Sequence, residues 1–262
     1  KEFNNFKCSF IKIPDIKDIF EGCNDWRGFF GIWARFLFPE LKREINKAIY
    51  LDVDICLYDD ISKLYYEDLN NCCIGACSDI GIKKFGNRGL PISKEHVYMN
   101  SGVILIDCEK WREEKITQKI IDIGKKYGNK LRFPDQDALN IVFNNNNYKL
   151  LPQRYNFMDI DTTCKLNEEW TSCIIRHYVQ KPWKCLYNKS NKGKEIKMFE
   201  EFWFYAGKTS FFNGLKIKFL KNNISNKSYL LFNLIPIIKI KTNNNVKKYL
   251  LFGIIPLMKV KE

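Results

Sequence analysis

Apolar and polar positions alternate along this chain in two rhythms. "FKCSFIKI" (residues 6–13) carries its apolar groups at nearly every second place and predicts a strand. "RGFFGIWARFLFPELKREI" (27–45) spaces them three and four apart, which predicts a helix punctuated by Pro39. "KAIYLDVD" (47–54) predicts a short buried strand ending in carboxylates; in a regular strand Asp52 and Asp54, either side of Val53, would share one face. "CCIGACSD" (72–79) and "VYMNSGVILIDCEKW" (97–111) predict further strands, the second interrupted by a polar bend at Asn100-Ser101-Gly102. A helix is expected from about Glu109 to Lys126, another over "FPDQDALNIVF" (133–143) with Asp135 placed to cap it, and one more strand at "SCIIRHY" (172–178). Strands alternating with helices indicate an α/β domain, whose ligands collect at strand ends.

The C-terminal stretch has another rhythm. "KSYLLFNLIPIIKIK" (227–241) returns as "KKYLLFGIIPLMKVK" (247–261), with "TNNNV" between the copies. Two copies are too few for a solenoid, and two strand-turn-strand pieces are one expectation. Charge adds a second. Residues 1–180 hold 26 basic and 26 acidic side chains, whereas 181–262 hold 17 against 4, a surplus equal to the whole net charge of +13. Leu, Phe and Ile runs among lysines suit an anionic membrane surface. A nucleic-acid partner is not expected, because the aromatics lie inside aliphatic runs rather than standing apart as stacking platforms. The expected division is 1–205 as an α/β domain and 206–262 as a basic, repeat-containing tail.

The 262 residues can bury a full core, and no apolar run reaches the roughly 18–20 residues that span a bilayer. Ten cysteines at irregular spacings form no CxxC pair, which points to reduced thiols and a cytoplasmic setting. With the basic tail, the expected place is the inner face of the cytoplasmic membrane.

Candidate chemistry centres on "IYLDVDICLYDD" (49–60). Two strand-end carboxylates so close repel each other, and a hard divalent cation such as Mg²⁺ or Mn²⁺ is the natural remedy. A haloacid-dehalogenase-type phosphotransferase would carry Thr or Val where Cys56 stands, so that reading is poor. Asp59 and Asp60 read as the start of the next turn.

Other stretches accompany this one in a set order: "WARFLFPEL", "IGACSD", "YMNSGVILIDCEKWRE", "FPDQDALN", "LPQRYNFM" and "IIRHYVQKPWK". Together they resemble glycosyltransferase family 8, the retaining GT-A enzymes that include bacterial lipopolysaccharide galactosyl- and glucosyltransferases. The resemblance runs over about residues 5–205. It implies a GT-A (Rossmann-like) nucleotide-diphospho-sugar transferase fold, a mixed central sheet flanked by helices. It also implies a first strand and loop for uracil and ribose that lie upstream of residue 1, so N-terminal strands are expected to be missing. The implied donor is a UDP-sugar, the implied acceptor a glycan or lipid-linked saccharide, and the reaction a hexosyl transfer.

Residue by residue, the resemblance gives Asp52, Asp54 and His177 as ligands of Mn²⁺ (or Mg²⁺), imidazole with carboxylates favouring Mn²⁺. Lys181 would meet the diphosphate as a point charge, although the interval from His177 is short and lacks the customary glycine. Arg35 would bond a sugar hydroxyl or an aspartate, and Asp79, Asn100 and Ser101 would read sugar hydroxyls. Asp135 and Gln136 would line the reacting carbon. Gln136 is a poor nucleophile, so a same-face transfer assisted by the leaving phosphate is preferred to a glycosyl-enzyme. His96 has no family counterpart, and packing is its default. The competing expectation is a non-catalytic GT-A-like module that binds membrane or a partner.

Overall fold

A computed structural model describes residues 7–82, 89–158, 173–179 and 204–209, and the backbone of 228–231, 235–243, 246–251 and 255–261. Backbone contacts group the chain into two compact units, Lys1–His177 and Tyr178–Glu262.

In the first unit, "FKCSFIKI" is not a strand. Its described residues have no regular structure, and Phe10 is 98% exposed. Alternation alone cannot make a strand without a neighbour to satisfy its backbone. A short helix α1 (Ile16–Ile19), capped by Asp15, comes first. The helix expected over 27–45 is a 3-10 segment, Phe30–Leu37, running into one α turn, α2 (Phe38–Leu41), with Pro39 in its first turn. The 3-10 segment still buries one stripe, Ile32, Trp33, Phe36 and Leu37, and its open carbonyl at Phe36 accepts from the Thr117 hydroxyl at 2.8 Å.

Strand β1 (Lys47–Leu51) follows, then β2 (Ile55–Leu57), α3 (Ser62–Tyr65), β3 (Ile74–Ser78) and β4 (Met99–Asp107). The helix expected over 109–126 is two: α4 (Cys108–Glu113) and α5 (Ile116–Tyr127), parted at Lys115, which has φ of 55°. Then come α6 (Pro134–Val142), β5 (Lys149–Leu150), β6 (Phe157–Met158) and β7 (Ile175–His177). The main sheet has the order β1-β4-β3-β5, antiparallel except for the β3–β5 pair.

β4 is central and buried on both faces. Ile104 and Ile106 face a core built from Trp33, Phe36, Trp111 and α5, while Val103 and Leu105 face Leu64, Tyr155 and Ile175. That is why its second half reads as an unbroken apolar run. The expected bend at Asn100–Gly102 is also not there as such: the strand is continuous from Met99. Its pairing with β3 jumps from Ala76↔Ile104 to Ser78↔Met99, a bulge that places the polar residues opposite a gap in the ladder.

A second sheet, β2-β7-β6, sets Ile55 opposite His177 and Met158 beside it. None of the eight described cysteines is in a disulfide, and burial pushes Cys23 and Cys108 up to about 11. No helix among the described residues is long and apolar enough to cross a membrane.

The second unit contains an antiparallel sheet of β8 (Ser228–Leu231), β9 (Ile235–Asn243), β10 (Val246–Leu251) and β11 (Ile255–Lys261), paired in sequence order. Each copy of the repeat is one hairpin, as expected. Even the irregularity is repeated: Tyr229↔Ile238 gives way to Leu230↔Pro236, and Tyr249↔Met258 to Leu250↔Pro256. Pro lacks a backbone donor, so a bulge at each Ile-Pro is where the ladder can yield.

Candidate active site

The aspartate pair does not converge by strand alternation. β1 ends at Leu51, Asp52–Asp54 form a turn, and Val53 at its tip is fully exposed. The turn folds both carboxylates back toward one point. Asp52 is fixed through its backbone, whose N–H donates to Gly102 O at 2.8 Å. Its Oδ1 accepts from the Tyr50 hydroxyl at 2.6 Å and lies 3.2 Å from Arg35 Nη2. Its Oδ2 is turned toward His177 Nε2, 3.7 Å away, and Asp54 Oδ1 stands 3.2 Å from the same nitrogen.

His177 arrives through the Ile55↔His177 register: the residue after Asp54 pairs with the imidazole's own residue. One ligand atom from each of Asp52, Asp54 and His177 lies within 4.8 Å of the others. The His177 tautomer follows from its neighbours. Gly102 N–H donates to Asn100 Oδ1 at 2.9 Å, and Asn156 Nδ2 donates to that same oxygen at 2.8 Å. Asn156 Oδ1 is therefore the atom facing His177 Nδ1 at 3.0 Å, and Nδ1 must carry the proton. The bond at Nδ1 leaves Nε2 directed at the two carboxylates, so that a cation shared by the three side chains would complete the arrangement. A donor set of one imidazole and two carboxylates fits a divalent ion of the Mn²⁺ or Mg²⁺ type.

Gly102 makes room for this ring. A Cβ there would overlap His177 Cε1 and lie 2.7 Å from Nδ1 and 3.0 Å from Asn100 Oδ1.

Arg35 occupies the centre of the site. Its guanidinium reaches Asp52 and Asp135 at 3.2 Å each, donates to Ser101 O at 2.8 Å, and lies over the Tyr50 ring. Burial works against its charge, but Asp135 and Asp52 outweigh that and hold its pKa above the ordinary value. Burial lifts the Asp135 carboxyl above its usual range; Arg35 pulls it partly back, and Asp52 adds to the rise. Burial also pushes the Tyr50 phenol far up, so it stays a donor to Asp52.

Asp135 sits in the first turn of α6 but does not cap it. Phe133 is the N-cap residue, and Asp137, inside the helix, accepts from its N–H through Oδ2 at 2.9 Å. This leaves Asp135 and Gln136 facing β4. Gln136 Oε1 accepts from Ser101 N–H at 3.0 Å, and its Nε2 donates to Asp79 Oδ2 at 2.9 Å. Asn100 Nδ2 donates to the same Asp79 oxygen at 3.2 Å. Asp79, Asn100, Ser101, Asp135, Gln136 and Arg35 are thus joined to Asp52 and His177 in one network. Lys181 lies outside the described residues.

His96 is a buried packing residue elsewhere. Asn146 N–H donates to its Nδ1 at 3.2 Å, so Nε2–H donates to Asn140 Oδ1 at 2.9 Å, and burial lowers its pKa.

The family comparison agrees with this architecture: the pattern of glycosyl transferase family 8 matches residues 2–186. The chain belongs to that family. A Haemophilus influenzae protein described as a glycosyltransferase is 34% identical over 131 residues, 49% of this chain and 39% of the relative. General stress protein A of Bacillus subtilis is 31% identical over 167 residues, 58% of each chain. The lipopolysaccharide 1,2-glucosyltransferase of Escherichia coli is 30% identical over 133 residues, 48% of this chain and 39% of that enzyme. The matched part of this family 8 chain thus spans between 39% and 58% of those relatives. Among solved structures, an active-site mutant of LgtC superposes with a TM-score of 0.56 at 25% identity, covering 70% of this chain and 71% of that one. The fold is accordingly the GT-A fold, with its mixed sheet and flanking helices.

Asn156, Tyr50 and Gly102 were not singled out from the sequence. Asn156 and Gly102 lie inside stretches that carry the family resemblance, and Tyr50 stands in the apolar run before the DxD, but nothing local reveals that they touch His177 or Asp52.

Proposed function

We propose that this chain is the catalytic part of a metal-dependent, retaining hexosyltransferase that moves glucose or galactose from a UDP-sugar to a lipopolysaccharide or oligosaccharide acceptor. The observation that carries the reading is the His177 tautomer, with Nε2 aimed between Asp52 and Asp54. The name of the Escherichia coli relative supports a hexose donor and a lipopolysaccharide acceptor. In this reading residues 1–205 are the catalytic region and 206–262 the basic appendage.

Asp52, Asp54 and His177 would hold Mn²⁺ or Mg²⁺, which when bound supplies Lewis-acid neutralisation of the departing diphosphate. Arg35 keeps Asp52 Oδ1 occupied, so that Oδ2 is the oxygen presented to the ion. Lys181 adds positive charge to the diphosphate. Asp79, Asn100 and Ser101 read the donor hydroxyls, and Asp135 and Gln136 line the reacting carbon. Gln136 is held at both ends of its amide, so its oxygen is preorganised to stabilise developing positive charge and not to attack. The leaving phosphate assists the acceptor on the same face.

The enzyme would work on the cytoplasmic side, its basic tail against the inner face of the membrane. UDP release from UDP-glucose and UDP-galactose by the complete protein tests the catalytic reading. Asp54→Asn should lower turnover by about 10²–10³-fold, the scale of losing one preorganised electrostatic group. Equal turnover would refute it.

A further inference from the structure

The C-terminal sheet sorts its residues by register. Lys248 of β10 stands directly opposite Lys241 of β9 on one side and Lys259 of β11 on the other. Alternation along β9 and β11 puts Lys239 and Lys261 on the same face as these three. Five of the six lysines between 228 and 261 thus share one face, and Lys247 lies on the other. The basic face also takes Ser228, Leu230, Asn243, Val246 and Leu250, whereas Tyr229, Ile238, Ile240, Tyr249, Met258 and Val260 lie on the opposite one.

Three like charges in one cross-strand row destabilise a sheet unless an opposite charge meets them. The sequence offers little nearby, since residues 202–261 contain no Asp or Glu and Glu262, after Lys261, is a single carboxylate. The partner must therefore be anionic and extended enough to match a flat array. A single-stranded nucleic acid needs aromatic platforms among the lysines, and both tyrosines of the sheet are on the wrong face. Deep apolar insertion is ill matched, because Ile238, Ile240, Met258 and both tyrosines oppose the lysines and only Leu230, Val246 and Leu250 accompany them.

We propose that this lysine face docks flat on the headgroup plane of an anionic lipid bilayer, by charge and without apolar insertion. The proposal rests on the membrane part of the reading above and fixes which face engages and by what force.

The test is co-sedimentation of the complete protein with phosphatidylcholine vesicles, with and without phosphatidylglycerol. Each lysine at such a surface contributes about fivefold in affinity, so Lys241→Gln/Lys248→Gln/Lys259→Gln should weaken binding about a hundredfold. Lys239→Gln/Lys261→Gln, which leaves the central row intact, should weaken it by about 25-fold on the same scale. Lys247→Gln, on the other face, should cost no more than about twofold. Raising salt from about 0.05 to 0.5 M shortens the Debye length from about 13 to 4 Å and should release the wild type. Binding to neutral vesicles, retention at high salt, or equal losses from Lys247→Gln and Lys248→Gln would overturn the proposal. So would equally tight binding to soluble polyphosphate. UDP release should be unchanged in the lysine variants. If that activity stands while the vesicle results fail, the lysine face alone is refuted; if Asp54→Asn and wild type release UDP equally, the catalytic reading falls by itself.

Discussion

Adding one methyl group at Gly102 should disable the proposed metal centre without touching a ligand. The Ala Cβ would overlap His177 Cε1 and sit 2.7 Å from Nδ1, where ordinary carbon contacts need about 3.5 Å or more. Neither side yields easily. Gly102 is fixed by its carbonyl to Asp52 N–H and by its N–H to Asn100, and His177 is only 3% exposed. The imidazole must therefore shift by about 1 Å, away from Asn156 Oδ1 at 3.0 Å and from its aim between the carboxylates. Overpacking of this kind costs about 1–3 kcal/mol, which for a unit of this size lowers Tm by about 2–12 °C. A 1 Å misplacement is worth about 10²-fold in turnover. Calorimetric titration with Mn²⁺, thermal unfolding and UDP release measure the three effects. The companion Gly102→Ala/His177→Ala removes the clash and should recover most of the lost Tm while Mn²⁺ affinity stays low, a non-additivity expected only for residues in contact. Mn²⁺ affinity within twofold of wild type and an unchanged Tm in Gly102→Ala would refute the reasoning.

Asn156→Ala leaves His177 Nδ1–H without its acceptor and frees the tautomer, so Mn²⁺ affinity should fall about 10–100-fold with the ligands intact, measured by titration. Arg35→Met removes the guanidinium that faces Asp52 and Asp135 and should cost about 3–5 kcal/mol in denaturant unfolding, since buried carboxylates lose their counter-charge. His96 is held neutral with its pKa lowered by burial, so the unfolded chain binds the extra proton first as pH falls. Its stabilisation is full above the unfolded value near 6.5 and declines below it, by at most about 1.4 kcal/mol per pH unit. His96→Asn should flatten that part of the Tm-versus-pH curve between 6.5 and 5; an unchanged slope would show that another group titrates there.

What could be read from the chain in advance was local. The carboxylates at the end of β1, the alternation of strands and helices, and the two hairpins of the repeat all follow from spacing within a few residues. The errors were of two kinds. "FKCSFIKI" alternates like a strand, but whether a strand forms depends on a neighbouring edge, which spacing does not encode. Asn100-Ser101-Gly102 reads as a bend because polar residues are costly in a buried strand. They occupy β4 nonetheless, because the site is built there, the usual place for local rules to fail. Convergence of His177 on Asp54 depends on the β2–β7 register, a pairing across more than a hundred residues, and only family resemblance could supply it beforehand.

The polar chain through β4 has a direction that ties the two halves of the site together. Gly102 N–H is a fixed donor and Asp79 a fixed acceptor, so the Asn100 amide between them has one orientation, and it dictates those of Asn156 and the His177 ring. Asp79 Oδ2 also receives Gln136, whose other end is held by Ser101 N–H. A shift of His177 toward or away from an ion must therefore pass through Asn156 and Asn100 to Asp79, and from there to the amide at the proposed reacting carbon. Buried networks are worth their desolvation cost only when every member is satisfied. Here each satisfied bond also removes a degree of freedom from the groups that would meet the diphosphate and the sugar. In the proposed reaction the same bonds that stabilise the core would preorganise both ends of the scissile linkage, and loosening either end is expected to disturb the other.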